Sequence, residues 1–262
     1  IDFQIDKIIS YPPAGNEVYE IVSNNKNLFI KVEKSKLADF ESEKNNIKLL
    51  KQYYTKIPEI IDYGQIENKK YIVLSKIEGE RLSDLICEKK INSVEAFKLY
   101  GKELALIHKT PDEEFNKSKQ RVINDVIPDD KYPNRDIFII NIINYLKKNH
   151  PIIKYDTFIH GDFHYANVLW EYGKISGVID FEYSGKGFKE QDIAWSLIPR
   201  PSQPFSTNIE EIDAFLEGYL EINNYDFELF KWAFLNGCVH FYLMNNDDEK
   251  YKNKLRELME KI

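Results

Sequence analysis

Residues 158–170, Phe-Ile-His-Gly-Asp-Phe-His-Tyr-Ala-Asn-Val-Leu-Trp, run into residues 171–182, Glu-Tyr-Gly-Lys-Ile-Ser-Gly-Val-Ile-Asp-Phe-Glu, and place Asp162, Asn167 and Asp180 in one short segment. Asp162 and Asn167 flank a turn. The apolar runs Asn167 to Trp170 and Gly177 to Asp180, joined at Gly173-Lys174, predict a β-hairpin; symmetry about that turn would set residue 167 opposite residue 180. An amide oxygen beside a carboxylate, with a second carboxylate upstream, is an all-oxygen set that suits a hard cation such as Mg²⁺.

Phosphoryl transfer needs these parts: an Asp to accept or orient the acceptor hydroxyl proton, then an Asn and a further Asp that hold Mg²⁺ on the nucleotide phosphates. His160, Gly161, Asp162, Asn167, Ile179, Asp180 and Glu182 match a His-Gly-Asp, four residues, Asn, then Ile-Asp-x-Glu signature. In this the chain resembles the aminoglycoside phosphotransferase and choline kinase superfamily, small-molecule kinases with a protein-kinase-like fold. The resemblance implies Asp162 as the catalytic residue and Asn167 and Asp180 as the metal residues. It also implies that His160 braces the catalytic loop without transferring protons, and that Asp192, in Gln191-Asp192-Ile193-Ala194-Trp195, supports that loop.

A kinase also needs a cation on the phosphates, normally a strand Lys paired with a helix Glu. Leu28-Phe29-Ile30-Lys31-Val32 alternates as a half-buried strand, with Lys31 on the face opposite Leu28, Ile30 and Val32, turned from the core toward a cleft. Downstream, Leu37, Phe40, Ile47, Leu50 and Tyr54 form one helical stripe, with Glu43 in its middle. A buried carboxylate requires a cationic partner, and Lys31 is the candidate. The segment from Tyr11 to Tyr19 holds one glycine and is not a Gly-rich loop; Gly15, Asn16 and Val18 are similar to the family's phosphate-side loop. After Tyr71 to Leu74, the segment Ser75 to Gly79 reads as a lobe linker. Ser75 and Ile77 are placed there by the resemblance, where backbone groups pair with the adenine edge.

The expected architecture is α+β, a protein-kinase-like two-lobe fold. It has an N-terminal antiparallel-sheet lobe with one helix (residues 1–77, nucleotide-binding) and a larger, mainly helical C-terminal lobe (residues 78–262, catalytic and substrate-binding). With 262 residues and 43% apolar content the chain can bury a sizeable core. Strand patterns cluster before residue 80 and helical ones follow. Asn92 with Glu95 three residues on reads as a helix start. Phe97, Tyr100, Leu104, Ile107 and His108 form the inner stripe of that helix, His108 as a hydrogen-bonded core residue. A further helix is expected over Ile137 to Leu146.

The net charge of −7 argues against a nucleic-acid partner and suits a cationic small substrate. Cys87 and Cys238 are the only cysteines, read as reduced residues of a cytoplasmic protein. No signal peptide or membrane span is expected. Glu210, Asp213, Glu217 and Glu221 share a helical face that is either a solvated outer surface or a negative wall facing the Asp162 cleft. Glu182, two residues after Asp180, is a second candidate for the cleft, either helping the metal shell or meeting substrate. The rings of Trp195, Trp232, Phe241 and Tyr242 are the candidates for a cage around a choline-like cation, with core packing as the ordinary alternative. The purpose of the turn Arg200-Pro201-Ser202-Gln203 does not follow from sequence.

The reading is an Mg²⁺-dependent phosphotransferase using ATP or GTP on a hydroxyl of a small cationic molecule such as an aminoglycoside. Choline-like, ethanolamine-like and sugar acceptors stay open. A non-catalytic nucleotide-binding regulatory protein is the alternative from another class, and a metal-dependent hydrolase would have no need of Lys31 and Glu43.

Overall fold

The computed structural model describes residues 5–12, 15–23, 26–34, 39–119, 125–127, 135–201, 208–245 and 248–262. Leu37, the Pro13-Ala14 part of the loop before Tyr19, and Ser202-Gln203 of the Arg200 turn lie outside the described residues.

Five strands form an antiparallel sheet: β1 (Ile5–Tyr11), β2 (Glu17–Ser23), β3 (Leu28–Val32), β4 (Ile60–Ile66) and β5 (Lys69–Ser75), in the order β1-β2-β3-β5-β4. Helix α1 (Phe40–Leu50) interrupts it in sequence, opened by Asp39, whose carboxylate accepts from Ser42 N. The sheet corrects one expectation. Leu28 and Ile30 pack with Ile21 and Val73 in a small separate cluster on the outer face. Ile72 and Leu74, which sit opposite Lys31 and Phe29 across β3 and β5, join the main core with Phe40, Ile47 and Leu50 of α1. Lys31 therefore projects from the α1-facing side of the sheet, the core side, because helix α1 covers that face.

After the sheet come β6 (Glu80–Arg81), α2 (Leu82–Cys87), α3 (Ser93–Ile107), α4 (Ile137–Lys148) and β7 (Thr157–Ile159). These are followed by β8 (Val168–Glu171), β9 (Lys174–Val178), β10 (Gly185–Gly187), α5 (Lys189–Leu197), α6 (Ile209–Leu220), α7 (Phe227–Met244) and α8 (Glu249–Lys261). Strands β6, β8 and β9 make one small sheet and β7 with β10 another, so this part is mainly helical, as expected. Asn92 opens α3 by accepting from Glu95 N. The inner stripe of α3 is buried, and His108 closes it between the Tyr219 hydroxyl (2.8 Å) and Asp192 (3.1 Å).

The β8-β9 hairpin forms with two differences. Its turn is Tyr172-Gly173, with φ of 50° and 73°, the pair of left-handed residues a two-residue hairpin turn requires. Leu169 pairs with Gly177 but Trp170 with Ile175, so Ser176 is an extra residue on β9. The turn lies one residue earlier than expected, which moves the pairing by two, and the bulge restores one of these steps: Asn167 O accepts from Ile179 N at 3.0 Å, and Asp180 follows one residue beyond the pair.

Helices α3 and α6 cross in backbone contact. A Cβ built on Gly101 would lie 2.0 Å from Phe215 O, and one on Gly218 would lie 1.9 Å from Lys98 O. The two contacts run in opposite chain directions, so the helices are antiparallel, and only glycine permits the approach. Gly218→Ala is expected to lower stability by about 3 kcal/mol, since backbone cannot give way as a side chain does. The urea unfolding midpoint measures it; a loss under about 1 kcal/mol would show that the helices slide apart freely.

Candidate active site

Asp162 lies just after β7, in a loop whose shape is held from below. His160 N and Gly161 N donate to the two carboxylate oxygens of Asp192 at 2.9 and 3.0 Å. Gly161 has φ of 80°, and a Cβ there would sit 2.3 Å from Tyr183 O, so the chain passes as only glycine can. His160 donates through Nε2 to Ile179 O at 3.0 Å and accepts from Asp162 N at Nδ1, 3.2 Å. This pairing fixes the neutral tautomer, and burial pushes the ring below the ordinary histidine value. Both nitrogens are engaged in holding the loop, in keeping with the bracing role the resemblance implies.

Asp162 is 3% exposed, and its Oδ1 accepts from Trp195 Nε1 at 2.8 Å. Asn167 ends a single 3-10 turn (Tyr165–Asn167) and donates through Nδ2 to Asp162 O at 3.0 Å. That bond leaves the amide oxygen as the atom offered to a cation. Asp180 follows β9 with φ of 70° and ψ of 62°, a left-handed backbone uncommon for a residue with a Cβ. Strain of this kind re-aims the carboxylate out of the hairpin line.

Lys31 Nζ bridges Glu43 Oε1 and Asp180 Oδ1, both at 2.8 Å, and so joins β3, α1 and the segment after β9. Burial disfavours the ammonium most strongly, yet Asp180 and Glu43 together outweigh it and hold Lys31 above the ordinary lysine value. Burial pushes Asp180 up, but Lys31 prevails and holds it at about 2. Glu43 is fully buried, its Oε2 without a partner among the described residues, and burial together with repulsion from Asp180 raises it against the pull of Lys31. Glu43 thus serves Lys31 alone.

Asn167 and Asp180 offer one amide oxygen and one carboxylate, the hard-oxygen donors that Mg²⁺ takes when nucleotide phosphates and water complete its shell. Among the described residues no group of three or more His, Cys, Asp or Glu side chains is placed to hold a metal unaided. The residues present fit an ion brought with a nucleotide.

The other expected residues divide. Glu182 accepts from Asn16 Nδ2 at 2.9 Å, linking the segment before β2 to the turn after Asp180. Ile77 lies over β9, where its side chain fills the space a Cβ on Gly177 would occupy, while Ser75 is tied to Glu59 through its N–H and its hydroxyl, both 2.8 Å. Glu217 is not brought to the Asp162 group. The apolar face of α6 packs on α3, so its acidic face points outward. Glu217, 65% exposed at its side chain, pairs with Lys98 at 2.5 Å, and Glu221 with Lys98 and Lys102. The acidic stripe is an outer face, and α3 pairs with its C-terminal half, Glu217 and Glu221.

The ring cage is likewise filled. Arg200 stacks 4.0 Å from the Trp195 ring centroid and 5.2 Å from that of Phe241. Tyr242 carries Lys252 and Arg256 at 4.8 and 5.3 Å, and Trp232 is buried with Nε1 on Leu146 O. The chain's own cations occupy three of those four rings.

Sequence reasoning missed Asn46, which donates from α1 to Ser184 O at 2.8 Å and anchors the helix beside Asp180, and it missed the contact of Trp195 with Asp162. A buried Asn one turn after Glu43 was the available signal for the first. The second had none, because α5 is buried from Glu190 to Leu197 and shows no polar face.

The family model described as "Phosphotransferase enzyme family" matches residues 12–235. Comparison with curated protein sequences returns no match. Among solved structures, aminoglycoside phosphotransferase APH(4)-Ia aligns at a TM-score of 0.68 and 13% identity, over 98% of this chain and 93% of the other. Spectinomycin phosphotransferase APH(9)-Ia, solved with ADP and spectinomycin, aligns at 0.63 and 18%, over 99% and 90%. Aminoglycoside-3'-phosphotransferase of type VIII aligns at 0.63 and 16%, over 90% and 92%. The fold is that of these kinases, and with the family model matching residues 12–235 the chain belongs to the phosphotransferase enzyme family, as a small-molecule kinase.

Proposed function

We propose that the protein transfers the γ-phosphate of ATP or GTP to a hydroxyl of a small cationic molecule of the aminoglycoside type. The observation that carries the reading is the Lys31 bridge between Glu43 and Asp180, with Asp162 and Asn167 on the adjoining loop. In it, Asp162 takes the acceptor's proton as the hydroxyl oxygen attacks the γ-phosphorus and the nucleoside diphosphate leaves. Lys31 binds the phosphates, and half-buried Phe29, on the same face of β3, offers a ring to the base. Asn167 and Asp180 would hold Mg²⁺, which when bound neutralises charge on the phosphate oxygens. Residues 1–77 then serve the nucleotide and residues 78–262 the chemistry and the acceptor, with the backbone from Ser75 to Ile77 at the base edge and Glu182 near the acceptor.

A bound ADP in the APH(9)-Ia structure supports a nucleotide donor. The net charge of −7 supports a cationic acceptor. The internal cations on the Trp195, Phe241 and Tyr242 rings disfavour a quaternary ammonium group held by those rings.

The test is a coupled ADP- or GDP-release assay with Mg²⁺ and each nucleotide, against aminoglycosides, choline, ethanolamine and simple sugars. Stimulation by an amino sugar is expected. Stimulation by choline alone would overturn the acceptor class, and tight nucleotide binding without stimulation by any acceptor would favour a regulatory protein. In the same assay Lys31→Arg is expected to raise the nucleotide KM about tenfold. The planar guanidinium keeps the charge but cannot place one point donor against two carboxylates. An unchanged KM would remove Lys31 from the phosphates.

A further inference from the structure

We propose that Trp195 is a positioning residue for phosphoryl transfer: its indole N–H fixes one oxygen of the Asp162 carboxylate, and Arg200 fixes the indole. This rests on the phosphotransferase reading of Asp162. An indole has one donor, and that of Trp195 goes to Asp162 Oδ1 at 2.8 Å, with the two residues 7% and 3% exposed. The chain's other tryptophans use theirs differently. Trp232 Nε1 meets a backbone carbonyl, Leu146 O at 3.0 Å, as a core indole ordinarily does, and Trp170 Nε1 is buried with no partner among the described residues.

Arg200 is built around that same indole. Its guanidinium lies 4.0 Å over the ring and donates to Trp195 O at 2.9 Å and Ile198 O at 3.0 Å, so it is anchored to the residue whose ring it covers. Phe241 of α7 shares that guanidinium, its ring centroid 5.2 Å from it and 5.9 Å from the Trp195 ring. Burial pulls the guanidinium below the ordinary arginine value, and the Asp162 charge opposes that pull.

A carboxylate turns about a broad, two-fold torsion, so an unrestrained Asp162 would spend much of its time misaligned with the acceptor hydroxyl. Holding one oxygen stops the rotation and directs the carboxylate, and small misplacements of a reacting group are costly. The Arg200-Pro201 turn, whose purpose sequence did not disclose, acquires one here: it returns a cation onto the last turn of α5.

The experiment is steady-state kinetics of Trp195→Phe, which keeps a ring under Arg200 and removes the donor. The expected result is a kcat about tenfold lower with both KM values within about twofold, the split of a misaligned base and not of lost binding. Trp195→His, which returns a ring N–H, is expected to regain at least about threefold of that loss. On ¹⁵N-labelled protein the Trp195 indole N–H resonance is expected to move upfield in Asp162→Ala, and this decides the contact should Trp195→Phe fail to fold. An unmoved resonance, an unchanged kcat, or a loss carried by KM would overturn the proposal. Turnover lost in Asp162→Asn but retained in Trp195→Phe overturns it alone. A wild-type protein without acceptor-stimulated turnover overturns the kinase reading and this proposal with it.

Discussion

Asp162→Asn is expected to reduce acceptor-stimulated turnover by about 10²-fold or more while leaving nucleotide affinity within about twofold. The substitution is nearly isosteric. An amide oxygen at the Oδ1 position still accepts from Trp195 Nε1, and the backbone carbonyl that receives Asn167 Nδ2 is unchanged. What disappears is the negative charge and the capacity to take a proton. In the proposed reading the nucleotide is met by the side chains of Lys31, Asn167 and Asp180, which the substitution leaves in place. Turnover measures the first quantity and calorimetric titration of Mg-nucleotide the second. Nucleotide affinity lost in step with turnover would sink the assignment of Asp162 as the base.

Asp192→Ala is expected to cost about 4 kcal/mol of stability and about 10 °C in Tm. One buried carboxylate serves three donors: His160 N, Gly161 N and the Nε2 side of His108. Its removal strands all of them in the interior, where water does not replace the lost bonds, and the penalty of each unsatisfied group adds. Asp192→Asn retains one acceptor oxygen and is expected to lose less. Thermal and urea unfolding read both variants. A loss under about 1 kcal/mol for Asp192→Ala would mean that the loop carrying Asp162 holds its shape without this support.

The parts legible in sequence were those whose chemistry and spacing are local. Asp162, Asn167 and Asp180 lie within one hairpin and its approach. Lys31 and Glu43 could be paired on electrostatic grounds alone, because a carboxylate on the buried side of a helix cannot stand without a cation, and the structure brings them to 2.8 Å. The stripe of α3 and the place of His108 at its end followed from helical spacing. Where the reading went astray, the competing effect was tertiary. The face of β3 bearing Lys31 is the core face because α1 covers it, a choice that alternation along one strand cannot make. The hairpin turned at Tyr172-Gly173, one residue before the expected pair, and the extra residue Ser176 restored one of the two register steps so lost; no turn signal announces a bulge inside a strand.

Taken by itself, then, the sequence determined the signature whose family resemblance carried the fold class, the order of the candidate catalytic residues and the Lys31-Glu43 partnership, the last from helical periodicity and the cost of an unpaired buried charge. Only the tertiary structure decided what surrounds Asp162. Helix α6 turned Glu217 outward onto Lys98, and Arg200 filled the ring of Trp195. Asp192 gathered three donors from distant parts of the chain. These depend on which faces of separate helices meet, and along a segment such as α5, buried on all sides, the sequence carries no periodic mark of which neighbour each side chain will find.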